Sequence, residues 1–215
     1  MAVTPENWRL LLEGLRLTLW LSLASIAISL VIGTLIGVLR ISPIAPLRVV
    51  ATGYVELFRD IPLLIVLFFI FLGLPKARLR FDPIQSAVVG LSVYTAAFVA
   101  EVVRAGLQAI HYGQIEAARA LGLTYIQMMR YVLLPQVFRN VVPPLGTVFI
   151  ALVKNTSVAS AISAPEVMLQ AETIEGRTFN PYSFLIAGLL YLVLTVPLSA
   201  LVNAAEQRLR THRAT

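Results

Sequence analysis

Residues 111–136 read H-Y-G-Q-I-E-A-A-R-A-L-G-L-T-Y-I-Q-M-M-R-Y-V-L-L-P-Q, the one sizeable polar interruption in an apolar chain that has a helical pattern of its own. Gln114, Glu116, Ala117, Ala118, Ala120 and Leu121 favour helix, Gly122 can take the left-handed conformation that ends one, and Thr124 suits the N-cap of the next. The spacing predicts two short helices bent at Gly122. The second sets Ile126, Met129, Val132 and Leu133 at helical spacing and is expected to stop near Pro135, presenting apolar knobs between Arg119 and Arg130. Such a shape suits the grip of a soluble partner.

On either side of this loop the chain is too apolar for a soluble domain. Of its 215 residues 58% are hydrophobic and 13% charged, which matches a polytopic membrane protein built as one domain, residues 1–215. Five transmembrane helices are expected, at about 17–39, 50–74, 83–106, 137–158 and 179–206, in an all-α membrane protein. Residues 1–13 read as an interfacial lead-in with Trp8 at headgroup level. In the first span Thr18, Ser22, Ser25, Ser29, Gly33 and Gly37 fall near one stripe, and the G-x-x-x-G spacing of its glycines marks a packing seam. Pro62 should bend the second span, and Glu101 and Arg104, three apart on the third, can pair. Pro143, Pro144 and Gly146 should make the fourth span irregular. A long loop carrying Glu166, Glu172, Glu175 and Arg177 follows it, and Pro197 should bend the fifth span.

Five spans put the termini on opposite sides. With the C-terminus in the cytosol, Arg40, Arg48, Arg59, Arg104, Arg119, Arg130, Arg139, Arg208, Arg210 and Arg213 lie inside, against Arg9, Arg16, Lys76, Arg78, Arg80 and Arg177 outside, so the N-terminus is expected outside and the 111–135 loop in the cytosol. The formal charge of +6 is thereby explained by topology, and no basic face interleaved with aromatics points to nucleic acid. The chain has no cysteine, His111 and His212 have no second ligand at helical metal spacing, and no phosphate-cradling G-x-x-x-x-G-K-[ST] occurs. No metal is expected, and no cofactor bound by this chain. The absence of G-x-S-x-G weakens an intramembrane hydrolase; a passive channel remains the other competing reading.

Glu116-Ala117-Ala118, Gly122 three residues after Arg119, and Val132-Leu133-Leu134-Pro135 resemble the E-A-A loop of bacterial ABC importer permeases. Phe58-Arg59-Asp60-Ile61-Pro62-Leu63-Leu64, Ala100-Glu101-Val102-Val103-Arg104-Ala105-Gly106, Gly113-Gln114, Pro135-Gln136 with Arg139, Pro143-Pro144-Leu145 and Lys154-Asn155-Thr156-Ser157 extend the resemblance to the polar amino acid branch (histidine, glutamine, glutamate or arginine type). It covers about residues 14–208; Ile61, where threonine is more familiar, departs from the pattern. The resemblance implies the type I ABC importer permease fold in the bacterial cytoplasmic membrane. Its implied partners are a second permease subunit, identical or sister, a cytosolic ABC ATPase dimer that holds the ATP and Mg, and an extracytoplasmic solute-binding protein. It also implies that the loop couples ATP hydrolysis to alternating access. There Glu116 would make charge-assisted bonds to a groove on the ATPase, Ala117 and Ala118 would allow close approach beside Arg119, and Gly122 would supply the turn.

An amino acid cargo needs donors for its carboxylate and acceptors for its ammonium, and such groups are expensive in lipid unless they face a cavity or each other. Lys154, Asn155, Thr156 and Ser157 are the densest polar cluster in any expected span. Lys154 stands about 27 Å along the axis from Gln136, at the far interface, where it would gate the path or pair with Glu166. Thr147, Ile150 and Val153 would then sit nearer mid-path, and Tyr94 and the Ser22 stripe are the other candidate positions.

Overall fold

The structure, a computed structural model, describes residues 4–211. Thr4 accepts a bond from the Asn7 amide at 3.4 Å and Pro5 supplies the first helical φ, so α1 starts at once and runs unbroken over Pro5–Leu39. At 1.5 Å per residue it is about 50 Å long, well over the roughly 30 Å hydrocarbon core. The expected lead-in is therefore helical: its turns carry Glu6, Arg9 and Glu13 outside the apolar stretch, and Leu11, wholly buried, packs with Val167, Ala171, Ile174 and Ala187.

The seam along α1 is its contact with α4, Pro83–Gln108. A Cβ on Gly33 would lie 2.5 Å from Val99 Cβ and 2.7 Å from the Ala96 carbonyl oxygen, and one on Gly37 2.7 Å from that of Ala100, so only glycine lets these two helices touch along their backbones. Thr18, Ser22, Ser25 and Ser29 are buried on the same face. α4 itself opens with a reciprocal cap, Gln85 N to Asp82 Oδ1 at 2.8 Å and Asp82 N to Gln85 Oε1 at 3.2 Å, followed by Pro83.

Between α1 and α4 the expected single span 50–74 is replaced by a broken one. α2, Ala45–Asp60, and the stretch beginning with α3, Leu63–Phe68, meet at 107°. The residue before a proline is driven out of the helical region, and Ile61 at φ −85°, ψ 134° obeys, so Pro62 divides the helix where a bend was expected. α3 continues through a π turn, Phe69–Gly73, and a 3₁₀ turn, Leu74–Ala77. Leu63 and Leu67 pack with Leu21, Ala87 and Leu91, and Tyr54 OH donates to the Val93 carbonyl at 2.6 Å.

After the loop helices α5, Tyr112–Ala120, and α6, Tyr125–Met128, a π turn at Met129–Leu133 leads into α7, Leu134–Asn155. Pro143 and Pro144 lie inside α7 without breaking it; the irregular backbone sits at its two ends, in that π turn and in a 3₁₀ segment, Thr156–Ile162. The expected long loop after it contains a helix, α8, Val167–Thr178, because the Glu166 carboxylate caps its first amides and its apolar face covers Leu11. α9, Tyr182–Thr211, carries Pro197 without interruption. Among the described residues four helices are long and apolar enough to cross a membrane, five with the broken pair. His212, Arg213 and the rest of the tail lie outside the described residues.

Candidate functional site

The 111–135 segment folds as an elbow with its own small core. At the end of α5 the Leu123 amide reaches back to Ala118 O at 3.1 Å, the Gly122 amide donates to Arg119 O at 2.9 Å, and Gly122 has φ +74°. Two residues on, Thr124 and Gln127 cap α6 reciprocally, Thr124 N to Gln127 Oε1 at 2.9 Å and Gln127 N to Thr124 Oγ1 at 3.4 Å. α6 does not stop near Pro135; it passes through the π turn into α7, with Pro135 in that helix's first turn, where a missing amide costs nothing. Gln136 Nε2 donates to Gln114 Oε1 and, at 2.9 Å, to Val132 O, tying α5 to the base of α7.

Burial sorts the residues of the elbow into two faces. Ala118, Met128 and Leu133 are buried with Ile110, Ile115, Leu123, Met129 and Val132 packed around them. Ala118 therefore fills the elbow's core and is not free for close approach by a partner. Three of the four expected knobs turn inward for the same reason, since burying them is what holds two short helices together without a longer scaffold. Ile126 alone of the four stays outward, 76% exposed, joined by Leu121 at 80%, while Glu116, Ala117, Arg119 and Gly122 are exposed as well.

At the same end of the bundle Glu101 gathers three arginines. Arg104 donates to both of its oxygens, one of these bonds from Nε at 3.2 Å; Arg40 from the end of α1 donates to Oε2, and Arg59 Nη1 of α2 lies 3.8 Å away with its guanidinium over the Phe98 ring. The spacing of Glu101 and Arg104 announced their pair, but nothing local announced Arg40 or Arg59.

Halfway along α4 a cavity of about 340 Å³ opens between α4 and α7, lined by Tyr94, Thr95 and Phe98 on one side and Thr147, Val148, Ala151, Leu152 and Asn155 on the other. Two separately named candidates, Tyr94 and Asn155, thus line one space, and Thr147 lines it as well. The rest of the expected path does not join them. Lys154 is exposed, and Ser157 donates to its carbonyl at 2.8 Å. Thr156 is wholly buried and donates to Val153 O at 2.7 Å, and Ser22 is closed into the α1 seam, donating to Thr18 O at 2.7 Å. Ile150 and Val153 do not line the cavity. Glu166, the other end of the expected Lys154 pair, is wholly buried elsewhere, bound by the Met168 and Leu169 amides at 2.9 Å each and by Tyr191 OH.

The family model described as "Binding-protein-dependent transport system inner membrane component" matches residues 29–211. The probable glutamine ABC transporter permease protein GlnM of Bacillus subtilis is 42% identical over 212 residues, 97% of either chain. The glutamate/aspartate import permease protein GltK of Escherichia coli is 37% identical over 207 residues, 92% of either chain. A crystal structure of an amino acid ABC transporter with histidines superposes with a TM-score of 0.88 at 34% identity, covering 97% of this chain and all of that one (100%).

Proposed function

We propose a function from one premise, that this chain belongs to the family of binding-protein-dependent transport system inner membrane components. It is the membrane-spanning permease component of an amino acid ABC importer, a multi-pass membrane protein and not itself an enzyme. In the finer reading it sits in the bacterial cytoplasmic membrane beside a second permease subunit. An extracytoplasmic binding protein delivers a polar amino acid, and a cytosolic ATPase dimer, which carries the ATP and Mg, grips the 111–135 elbow. The observation that carries this reading is the elbow's construction: a helix pair with its own core keeps its shape when pushed, and Gln136 passes its displacement to α7, which walls the cavity. Glu116 and Arg119 offer charge, and Leu121 and Ile126 apolar area, to the groove. Glutamate, which the name of the Escherichia coli relative carries, is the first member of the test panel.

The test is reconstitution of this chain with its candidate ATPase and binding protein, followed by ATP hydrolysis with glutamate, glutamine, arginine and histidine in turn. Hydrolysis should rise several-fold with at least one of them and uptake should accompany it. Failure of any ATPase to co-purify, or conductance by this chain alone, would remove the importer reading.

The orientation carries its own prediction. Gly113 and Gly176 are exposed with nothing within 4 Å of a Cβ, so cysteines placed there in this cysteine-free chain disturb no contact. A membrane-impermeant thiol reagent should reach Gly113→Cys from the cytosol only and Gly176→Cys from outside only. Labelling of both from one face would refute the arrangement with the N-terminus outside and the C-terminus cytosolic.

A further inference from the structure

Glu166 is a wholly buried carboxylate that does not line the cavity, and it stands where four elements meet. It caps α8 through the Met168 and Leu169 amides, and beside it the Val167 amide donates to Thr18 Oγ1 of α1 at 3.2 Å. From α9, Tyr191 OH donates to Glu166 Oε2, and the same hydroxyl lies 3.5 Å from Thr156 Oγ1 in the first turn of the 3₁₀ segment. Thr156 follows directly on Asn155, which lines the cavity, and its own hydroxyl hydrogen is committed to Val153 O at 2.7 Å. A chain of hydrogen bonds therefore runs from Glu166 through Tyr191 to Thr156, the residue next to Asn155 at the end of α7.

That chain has a direction. With Glu166 ionised, Tyr191 spends its single hydrogen on the carboxylate and can offer Thr156 none. With Glu166 protonated, its O–H can donate to Tyr191, whose hydrogen is then free to swing to Thr156 Oγ1, an acceptor because its own hydrogen is engaged. We propose that Glu166 is a positioning residue for the amino acid site, acting through Tyr191 and Thr156 on Asn155, so that gain or loss of one proton at Glu166 tightens or loosens the grip on cargo. The inference rests on the transport function proposed above.

The proton is available in the working range. Glu166 lies between the span that ends at Ile162 and α8, and burial pushes its carboxyl up from 4.5 to about 7 against the pull of the two amides and Tyr191. The shift is upward, so the folded protein holds the proton below about 7 and releases it above. The titratable groups facing it are Tyr191 from α9 and Glu172 from α8, whose like charge also raises it; α1 contributes Thr18 and the 3₁₀ segment Thr156, neither of which ionises.

The reconstituted transporter tests this with glutamine, which stays zwitterionic from pH 6 to pH 8. The half-saturating level for the wild type should rise about threefold to tenfold over that range, the factor commanded by one hydrogen bond supporting the site, with maximal ATP hydrolysis little changed. Glu166→Gln, which keeps its oxygen on the Leu169 amide when its NH2 turns to Tyr191 at the expense of the Met168 bond, should hold the low value at both pH values. Tyr191→Phe, which keeps the ring and loses the hydroxyl, should hold the high value at both. Opposite, pH-independent plateaus in the two variants support the relay. A shared pH profile in all three proteins, or a fall in maximal rate with an unmoved half-saturating level, overturns it and leaves Glu166 a cap of α8 alone. If Glu166→Gln does not assemble, Tyr191→Phe decides, because its packing is intact. A wild type with no amino acid uptake of any kind overturns the transport reading itself, a result distinct from uptake that is insensitive to these variants.

Discussion

Replacing Gly122 by valine is expected to abolish amino acid uptake while ATP hydrolysis persists. At φ +74° a β-branched residue is strained by roughly 1–3 kcal/mol, enough to swing the equilibrium of so short an elbow toward another backbone conformation. Nothing lies within 4 Å of a Cβ at this position, so the damage comes from the backbone preference and not from a clash, and the spans should insert as before. Gly113→Ala is the control: this residue is in the same loop, equally open, but inside α5 with an ordinary helical φ, and it should transport like the wild type or better. Glu116→Lys reaches the same loss by another route, reversing a charge on the exposed face without touching the elbow's core. Uptake into vesicles measured beside the ATPase rate gives the result. Uptake at the wild-type rate by both variants would remove the elbow from the coupling mechanism.

The contrast between Gly122 and Ala118 also shows how far the sequence could be read. Gly122 was legible because a left-handed residue after a run of helix formers is a local signal, and so was the four-residue spacing of Gly33 and Gly37. Ala118 was misread because which side of a short helix faces in depends on what folds back over it, and here that is Met128 and Leu133, beyond the turn. α8 failed for the same reason on a larger scale. Its sequence is polar enough for a loop, and it is held by a cap on a buried carboxylate and by Leu11, more than 150 residues earlier. The candidate site divides likewise: residue chemistry picked out Tyr94 and Asn155, but only the packing of α4 on α7 separates them, as cavity wall, from Thr156 and Ser22, which are as polar and wholly enclosed. Pro62 was seen and underestimated, since a proline's effect ranges from a bend to a break according to whether the next turn finds better partners elsewhere, as Leu63 and Leu67 do under Leu91.

Glu101→Ala should cost the fold more than any other single change to a charged residue at the loop end of the bundle. Its carboxylate is the common counterion of Arg40, Arg59 and Arg104, which arrive from α1, α2 and α4, so the substitution unpins three elements and strands three positive charges together. Arg59, with 44% of its side chain exposed, can turn to water, but Arg40 has only 11% exposed and its Nε already has no partner. Breaking a buried pair from one side typically costs about 3–5 kcal/mol, and the partial exposure of Glu101 puts this case near the lower end, about 3 kcal/mol. That is a large share of the roughly 5–15 kcal/mol that keeps a protein folded. Removing an outer member should be far milder. Arg104→Ala leaves Glu101 paired with Arg40 and Arg59, and a partly exposed pair is worth about 1 kcal/mol or less. Thermal unfolding in detergent should therefore rank wild type above Arg104→Ala and both well above Glu101→Ala, with the double variant Arg40→Met, Glu101→Ala recovering part of the loss because the stranded charge is gone. Equal melting of the two single variants would mean that the carboxylate is no hub, and that α1, α2 and α4 are held by the glycine seam and the apolar contacts alone.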